Sequence, residues 1–238
     1  MVSLLVTRPE PDASETAARL RALGIDAVVE PLLISRTLTT SLPAAAGFAA
    51  LAITSANALR ALDARGEIAR LRSLPVYAVG DRSAAAARDF GFAHVVSAHG
   101  NADDLVALLA TAGMDGPVLY PTARQPAGDL ARALAPHGVM VIAAAVYEMQ
   151  PAARLVADLA ALDGALFYSR RTAETFVRLA PDGTDRARLA MLCLSEAVAA
   201  PLIAAHFVRV SLADHPSDEA MMAAALSFAR DQKMGMIV

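Results

Sequence analysis

Short apolar runs alternate along the chain with longer stretches of helical spacing. Leu4-Leu5-Val6-Thr7 reads as a buried strand, Arg8-Pro9-Glu10-Pro11 turns the chain, and Asp12 to Leu23 places Ala17, Leu20 and Leu23 on one helical face before Gly24. Ala27-Val28-Val29 is the next strand. A strand, helix and strand this closely spaced form a βαβ unit, and right-handed crossover makes the two strands parallel. Residues 31–38 then read as extended. The most legible stretch is 51–62, LAITSANALRAL, where an apolar strand enters a helix through Thr54-Ser55-Ala56-Asn57. Hydroxyl and amide side chains there suit a helix cap, and the first helical N–H groups point forward, free to meet a ligand.

The alternation continues. Pro75-Val76-Tyr77-Ala78-Val79 is a strand, and Gly80-Asp81-Arg82-Ser83 leads into an alanine-rich helix ending at Phe90-Gly91. His94-Val95-Val96 is another strand, and Asn101-Ala102-Asp103-Asp104 caps a helix over 105–112. After Gly113 and Gly116-Pro117 the pattern restarts: strand at Val118-Leu119-Tyr120, helix over 128–134, stop at Gly138, strand over 141–147. Residues 165–176, ALFYSRRTAETF, then repeat the earlier strand-to-helix turn. Leu5 and Leu119, Gly24 and Gly138, and Ser55 and Ser169 are each 114 residues apart. A register kept over several elements predicts an internal duplication and two similar parallel α/β units. The extended segments 31–38 and 146–152 are equivalent in the repeat. A cut near 113–116 gives two successive domains. If the extended segments pair as a two-stranded ladder instead, each domain takes its first βαβ from one half and the remainder from the other. The tail from Asp231 reads as short and disordered.

Length adds that 238 residues can bury a core in either arrangement. Mean hydropathy is +0.44, yet no apolar run nears the roughly 20 residues of a membrane helix. The N-terminus reaches arginine and prolines too early for a signal peptide. One cysteine, Cys193, excludes a disulfide framework and, among Met191, Leu192 and Leu194, reads as a buried strand residue. These features predict a soluble cytoplasmic protein that contacts no membrane. A net charge of −3 argues against nucleic-acid binding.

In parallel α/β sheets ligands bind beyond the carboxyl ends of the strands. Here those ends carry Arg8, Thr54, Ser55, Asn57, Gly80, Arg82, Ser83, Thr122, Arg124, Ser169, Arg170, Arg171 and Ser195. Hydroxyls, arginines and helix N-termini together are equipment for binding anions. Other chemistry is sparse. The five histidines share no ligand spacing, so no metal site is expected, and no dinucleotide fingerprint, phosphate loop or nucleophile elbow is present. Asp103-Asp104 fits a cap and first turn better than a catalytic pair. Tyr147 stands at a strand end where the chain would cross between domains, a position from which its hydroxyl can face a cleft; a buried strand tyrosine is the plainer alternative.

The series LLVTRP, AITSANAL, VYAVGDRSAAAARDFGF, GNADDLVALL, AAAVYEMQP, ALFYSRRTAETF and CLSEAVAAPL resembles the uroporphyrinogen III synthase family over nearly the whole chain. The resemblance implies two flavodoxin-like α/β domains joined by a two-stranded β ladder. It favours the interleaved division, with 1–33 and 153–238 in the first domain and 34–152 in the second. Ladder strands are then expected near 34–38 and 146–152. It also implies the reaction: linear hydroxymethylbilane loses water, ring D inverts, and the macrocycle closes as uroporphyrinogen III, without cofactor or metal. The expected partner is that polycarboxylate alone, bound by a monomer. Tyr147 matches the family tyrosine assigned to departure of the hydroxyl, while Arg8, Thr54, Ser55, Asn57, Gly80, Arg82, Ser83, Ser169, Arg170 and Ser195 are the expected substrate contacts. The 51–62 turn is expected to face Ser169 across the cleft. The chain departs from the family pattern at Ser195-Glu196-Ala197-Val198 and at Thr122-Ala123-Arg124, where the usual glycines are absent. A non-enzymatic two-lobed anion-binding protein is the main alternative, and a two-lobed glycosyl transferase lacks its nucleotide fingerprint here.

Overall fold

The structure, a computed structural model, describes residues 1–235, with side chains to residue 232. In chain order it runs β1 (Ser3–Val6), α1 (Asp12–Ala22), β2 (Asp26–Val29), β3 (Leu33–Thr37), β4 (Ala50–Ile53), α2 (Ala56–Ala64), α3 (Ile68–Leu71), β5 (Val76–Ala78), α4 (Asp81–Asp89), β6 (Val95–Ser97) and α5 (Ala102–Thr111). It continues β7 (Val118–Ala123), α6 (Leu130–Leu134), β8 (Val141–Pro151), β9 (Gly164–Phe167), α7 (Arg170–Leu179), β10 (Ala190–Cys193), α8 (Glu196–Ala204), β11 (Val210–Leu212) and α9 (Asp218–Gly235).

Two compact units share these elements. One is Met1–Ile34 with the chain from Gln150 onward, and the other is Ser35–Met149. The first holds a parallel sheet of order β2-β1-β9-β10-β11, and the second holds β8-β7-β4-β5-β6 with β3 added beside β8. Within each sheet the order is 2-1-3-4-5, the flavodoxin-like doubly wound arrangement. In the second unit the 3-4-5 strands come first in sequence, so the duplication read from the spacing appears as one topology built twice, once permuted. The chain passes between the units along β3 and β8. Leu38 N–H donates to Val146 O at 2.8 Å and Ala152 N–H to Leu32 O at 2.9 Å, so rising numbers on one segment meet falling numbers on the other and the pair is antiparallel.

Both sheets are covered on both faces, which is why their strands read as unbroken apolar runs. Leu4 and Val6 pack on one side of the first sheet and Leu5 on the other. Leu51 and Ile53 likewise oppose Ala50 and Ala52 in the second. The helix starts follow their side chains: Ser55 Oγ accepts from Asn57 N–H, Ser169 Oγ from Thr172 N–H, and Asn101 and Asp104 form a reciprocal capping box on α5.

Three expectations need adjustment. The strand expected over 141–147 continues to Pro151, so Tyr147 lies within a strand; only its parallel pairing with β7 ends there, at Ala123. The helix expected from Gly128 starts at Leu130, because Asp129 is its cap and accepts from Arg132 N–H. The tail read as disordered from Asp231 is helical to Gly235; its last three residues, 236–238, lie outside the described residues.

Candidate active site

The carboxyl ends of β4, β7 and β8 surround a pocket of about 450 Å³ in the Ser35–Met149 unit. Thr54 and Ser55 enter it from the β4–α2 turn, Tyr120 and Thr122 from β7, and Tyr147 and Met149 from β8. The rest of the wall is mostly small and apolar, with Val106, Pro126, Ala127 and Leu130 among it. The charged lining residues are both carboxylates, Asp103 and Asp129.

Tyr147 reaches this pocket through an irregularity in its strand. Residues 118–122 of β7 pair in step with 141–145 of β8, but Ala123 pairs with Tyr147, leaving Val146 as an extra residue. Such a bulge reverses the pleat beyond it. Val141 packs on the α5–α6 face with Tyr120, and Ala144 and Val146 on the α2 face, as alternation requires. Beyond the bulge Tyr147 and Met149 also pack on the α2 face. The backbone there remains paired: Val146 O accepts from Leu38 N–H and Tyr147 O from Arg124 N–H, both at 2.8 Å.

Two tyrosines consequently enter the pocket from opposite faces of one sheet. Tyr120 OH lies 3.0 Å from Thr54 Oγ1. The Tyr147 phenol and the Ser55 side chain line the pocket together, near enough for Ser55 to act on the phenol, and Ser55 Oγ accepts from Asn57 N–H at 3.2 Å. Tyr147 is 7% exposed. Burial raises its pKa above the ordinary tyrosine value, and the Ser55 hydrogen bond only partly offsets this. At neutral pH the phenol therefore carries its proton.

The other expected site residues fall into three groups. Asn57 adjoins the pocket, its Oδ1 accepting from Arg60 at 2.7 Å and its Nδ2 reaching the Met149 sulfur at 4.0 Å. Gly80, Arg82 and Ser83 form the β5–α4 turn of the same unit and do not line this pocket; Ser83 is buried. The acid of that turn, Asp81, is held below the usual carboxylate range by a hydrogen bond from Ser97 and by His99, whose Nδ1 lies at 2.7 Å. Arg8, Ser169, Arg170 and Ser195 belong to the other unit.

Arg8 is enclosed there. Its guanidinium meets Asp218 at 2.7 Å, Asp12 at 3.1 Å and Thr16 at 3.2 Å, and stacks 4.2 Å above the Tyr168 ring. Burial lifts the Tyr168 pKa, against the effect of the Arg8 charge. Arg170 pairs with Glu174 at 2.9 Å, and Arg124 of the β7–α6 loop pairs with Glu148 at 3.0 Å. Ser169 Oγ lies 2.7 Å from Thr172 Oγ1, while Ser195 caps α8 without a side-chain hydrogen bond. Sequence reasoning missed Tyr120. Its signal was its place at the end of the Val118-Leu119-Tyr120 run, two residues before Thr122. Among the described residues no group of three or more His, Cys, Asp or Glu side chains is arranged to hold a metal ion, and no helix is long and apolar enough to cross a membrane.

Two sheets of one flavodoxin-like topology, linked in the chain through β3 and β8, define a duplicated α/β protein of the doubly wound kind. The chain belongs to the uroporphyrinogen-III synthase HemD family, whose model matches residues 14–223, and the activity of that family is the one it carries. Solved structures agree in fold. Uroporphyrinogen-III synthetase from Helicobacter pylori matches with a TM-score of 0.69 at 21% identity, over 95% of this chain and 99% of that one. A mutant uroporphyrinogen III synthase from Thermus thermophilus matches with a TM-score of 0.54 at 17% identity, over 98% and 100%. No curated protein sequence matches the chain.

Proposed function

We propose that this enzyme closes hydroxymethylbilane with inversion of ring D, and that the pocket beside Tyr147 receives the end of the substrate that bears the hydroxymethyl group. The single observation that carries the placement is the meeting of Tyr120 and Tyr147 with Thr54 and Ser55 in one pocket at the strand ends. Loss of the hydroxyl from the exocyclic methylene carbon, as water, requires a proton on the leaving oxygen and leaves a cation delocalised into the adjoining pyrrole. A buried, protonated phenol can hydrogen-bond and protonate that oxygen. Asp103 and Asp129 give the lining a charge that suits the cation.

Ring D must then be held while the new bond forms at its substituted carbon. The apolar wall formed by Val106, Leu130 and Met149 matches a flat pyrrole, and orientation is the main service asked of the protein. The side-chain carboxylates of the substrate need partners elsewhere, because this pocket is lined by no cation. The N-termini of α2 and α4, in the same unit as the pocket, offer backbone N–H groups at the turns containing Ser55 and Gly80. Arg8 takes part by holding its turn rather than by direct contact, since two carboxylates already neutralise it. The two compact units correspond, in this reading, to the two domains of the duplication, and a monomer suffices. Exposed apolar side chains such as Met140, Val156 and Ile203 are dispersed over both units, as is ordinary for a monomer surface.

Purified protein given hydroxymethylbilane is expected to yield the type III isomer, resolved chromatographically after oxidation; type I alone would reject the function. Tyr147→Phe is expected to remain folded and to lose kcat by about tenfold or more, within the range of a general acid. Unchanged kcat would remove Tyr147 from the chemistry while leaving the isomer result standing. Nothing observed favours a non-enzymatic anion-binding protein.

A further inference from the structure

We infer that Ser55 is a positioning residue for Tyr147, and that the extra residue at Val146 is the device that brings their side chains together. The inference rests on the reading of Tyr147 as the group that meets the leaving hydroxyl. Ahead of the bulge, odd-numbered residues of β8 face α5 and α6, as Val141 does. Continued without interruption, that alternation would put Tyr147 on the same side, away from α2. The extra residue, Val146, reverses it, and Tyr147 joins Leu59, Leu62 and the remainder of the α2 face.

There it meets the start of α2. Ser55 Oγ accepts the Asn57 N–H, so its own proton is available for the Tyr147 oxygen. The neighbouring Thr54 engages Tyr120, which comes from the opposite face. Consecutive residues of one turn thereby fix two phenols in one pocket. The duplicated turn lacks this arrangement: Ser169 stands where Ser55 does but bonds Thr172, and the positions 114 residues before Tyr120 and Tyr147 are Val6 and Leu33. The hydroxyl of Ser55 was expected to contact the substrate, and holding Tyr147 is a further task for it.

The test compares Ser55→Ala, Ser55→Thr and Ser55→Asp, each alone and with Tyr147→Phe, in the full chain. Threonine retains both the cap and the proton. Ionised aspartate caps α2 but has no proton to give, so loss of activity there does not come from unfolding of the helix. Ser55→Ala and Ser55→Asp are expected to lower kcat about tenfold with KM within about twofold, as for a group acting only in the transition state. Ser55→Thr is expected to restore kcat. In Tyr147→Phe protein, Ser55→Ala should have no further effect on kcat. With ring-labelled tyrosine, four tyrosines in all, the Tyr147 Cζ resonance should move in Ser55→Ala and return in Ser55→Thr. A raised KM with kcat kept, equal slowing in the Tyr147→Phe background, or an unmoved resonance would overturn the inference. If Tyr147→Phe alone leaves kcat unchanged, the catalytic reading falls and the resonance still decides the pairing, for it if moved and against it if not.

Discussion

Tyr147 and Gly164 show how much a single position depends on its neighbours. The Tyr147 phenol is destabilised as an anion by burial, so its ionisation lies above the ordinary 10.0. If it is the proton donor, its titration leaves kcat level through neutral and mildly alkaline pH. A loss centred near pH 7 that vanished in Tyr147→Phe would contradict this. Gly164 is the first residue of β9. A Cβ there would sit 2.7 Å from the Ala190 carbonyl oxygen, where β9 and β10 pair, and 3.2 Å from Leu4. Gly164→Ala is expected to cost about 1–3 kcal/mol in urea unfolding, the range for overpacking. The position 114 residues earlier is Ala50, buried in the second sheet, so the repeat itself gives no hint of the constraint. Gly80 is different: a Cβ would make ordinary contact with Gly100 O at 3.5 Å, and the fold does not require glycine there.

At the level of elements, caps and strands were legible because they depend on near neighbours. Asn101, Asp103 and Asp104 were read as a cap and first turn, and they form a capping box with Asn101 N–H donating to Asp104 Oδ2 at 2.8 Å. Asn101→Ala should lower stability by about 1 kcal/mol, the usual cost of losing a cap, measurable by denaturant titration. The bulge in β8 was not legible. Alternation in AAAVYEMQP is weak, and an extra residue is defined only against the partner strand, here Thr122 and Ala123. The same holds for Arg8. An arginine after a strand suggests a ligand, but Asp218, 210 residues on, was invisible from its surroundings.

Across the whole molecule, each unit has its own buried clusters on both faces of its sheet, and Cys193 reports on one of the units. It is fully buried in the unit containing Met1–Ile34, and burial pushes its thiol up to about 12. Folded protein should therefore resist a thiol reagent at pH 8, and labelling should follow the opening of that unit alone. Loss of tyrosine signals from Tyr120 and Tyr147 reports on the other unit. Fast labelling of the native protein would contradict the placement of Cys193.

By itself the sequence determined the class of fold, the duplication with its register, the helix caps and the candidate strand ends. Each of these rests on periodicity or on contacts a few residues apart, and the 114-residue echo carries the rest. Tertiary structure decided which of the candidate residues share a pocket. It enclosed Arg8 between Asp12 and Asp218, brought Tyr120 and Tyr147 into one pocket with Thr54 and Ser55, and set the face of Tyr147 by one extra residue in its strand. Those outcomes depend on register between strands and on ion pairs across long separations, and neither leaves a periodic mark on the chain.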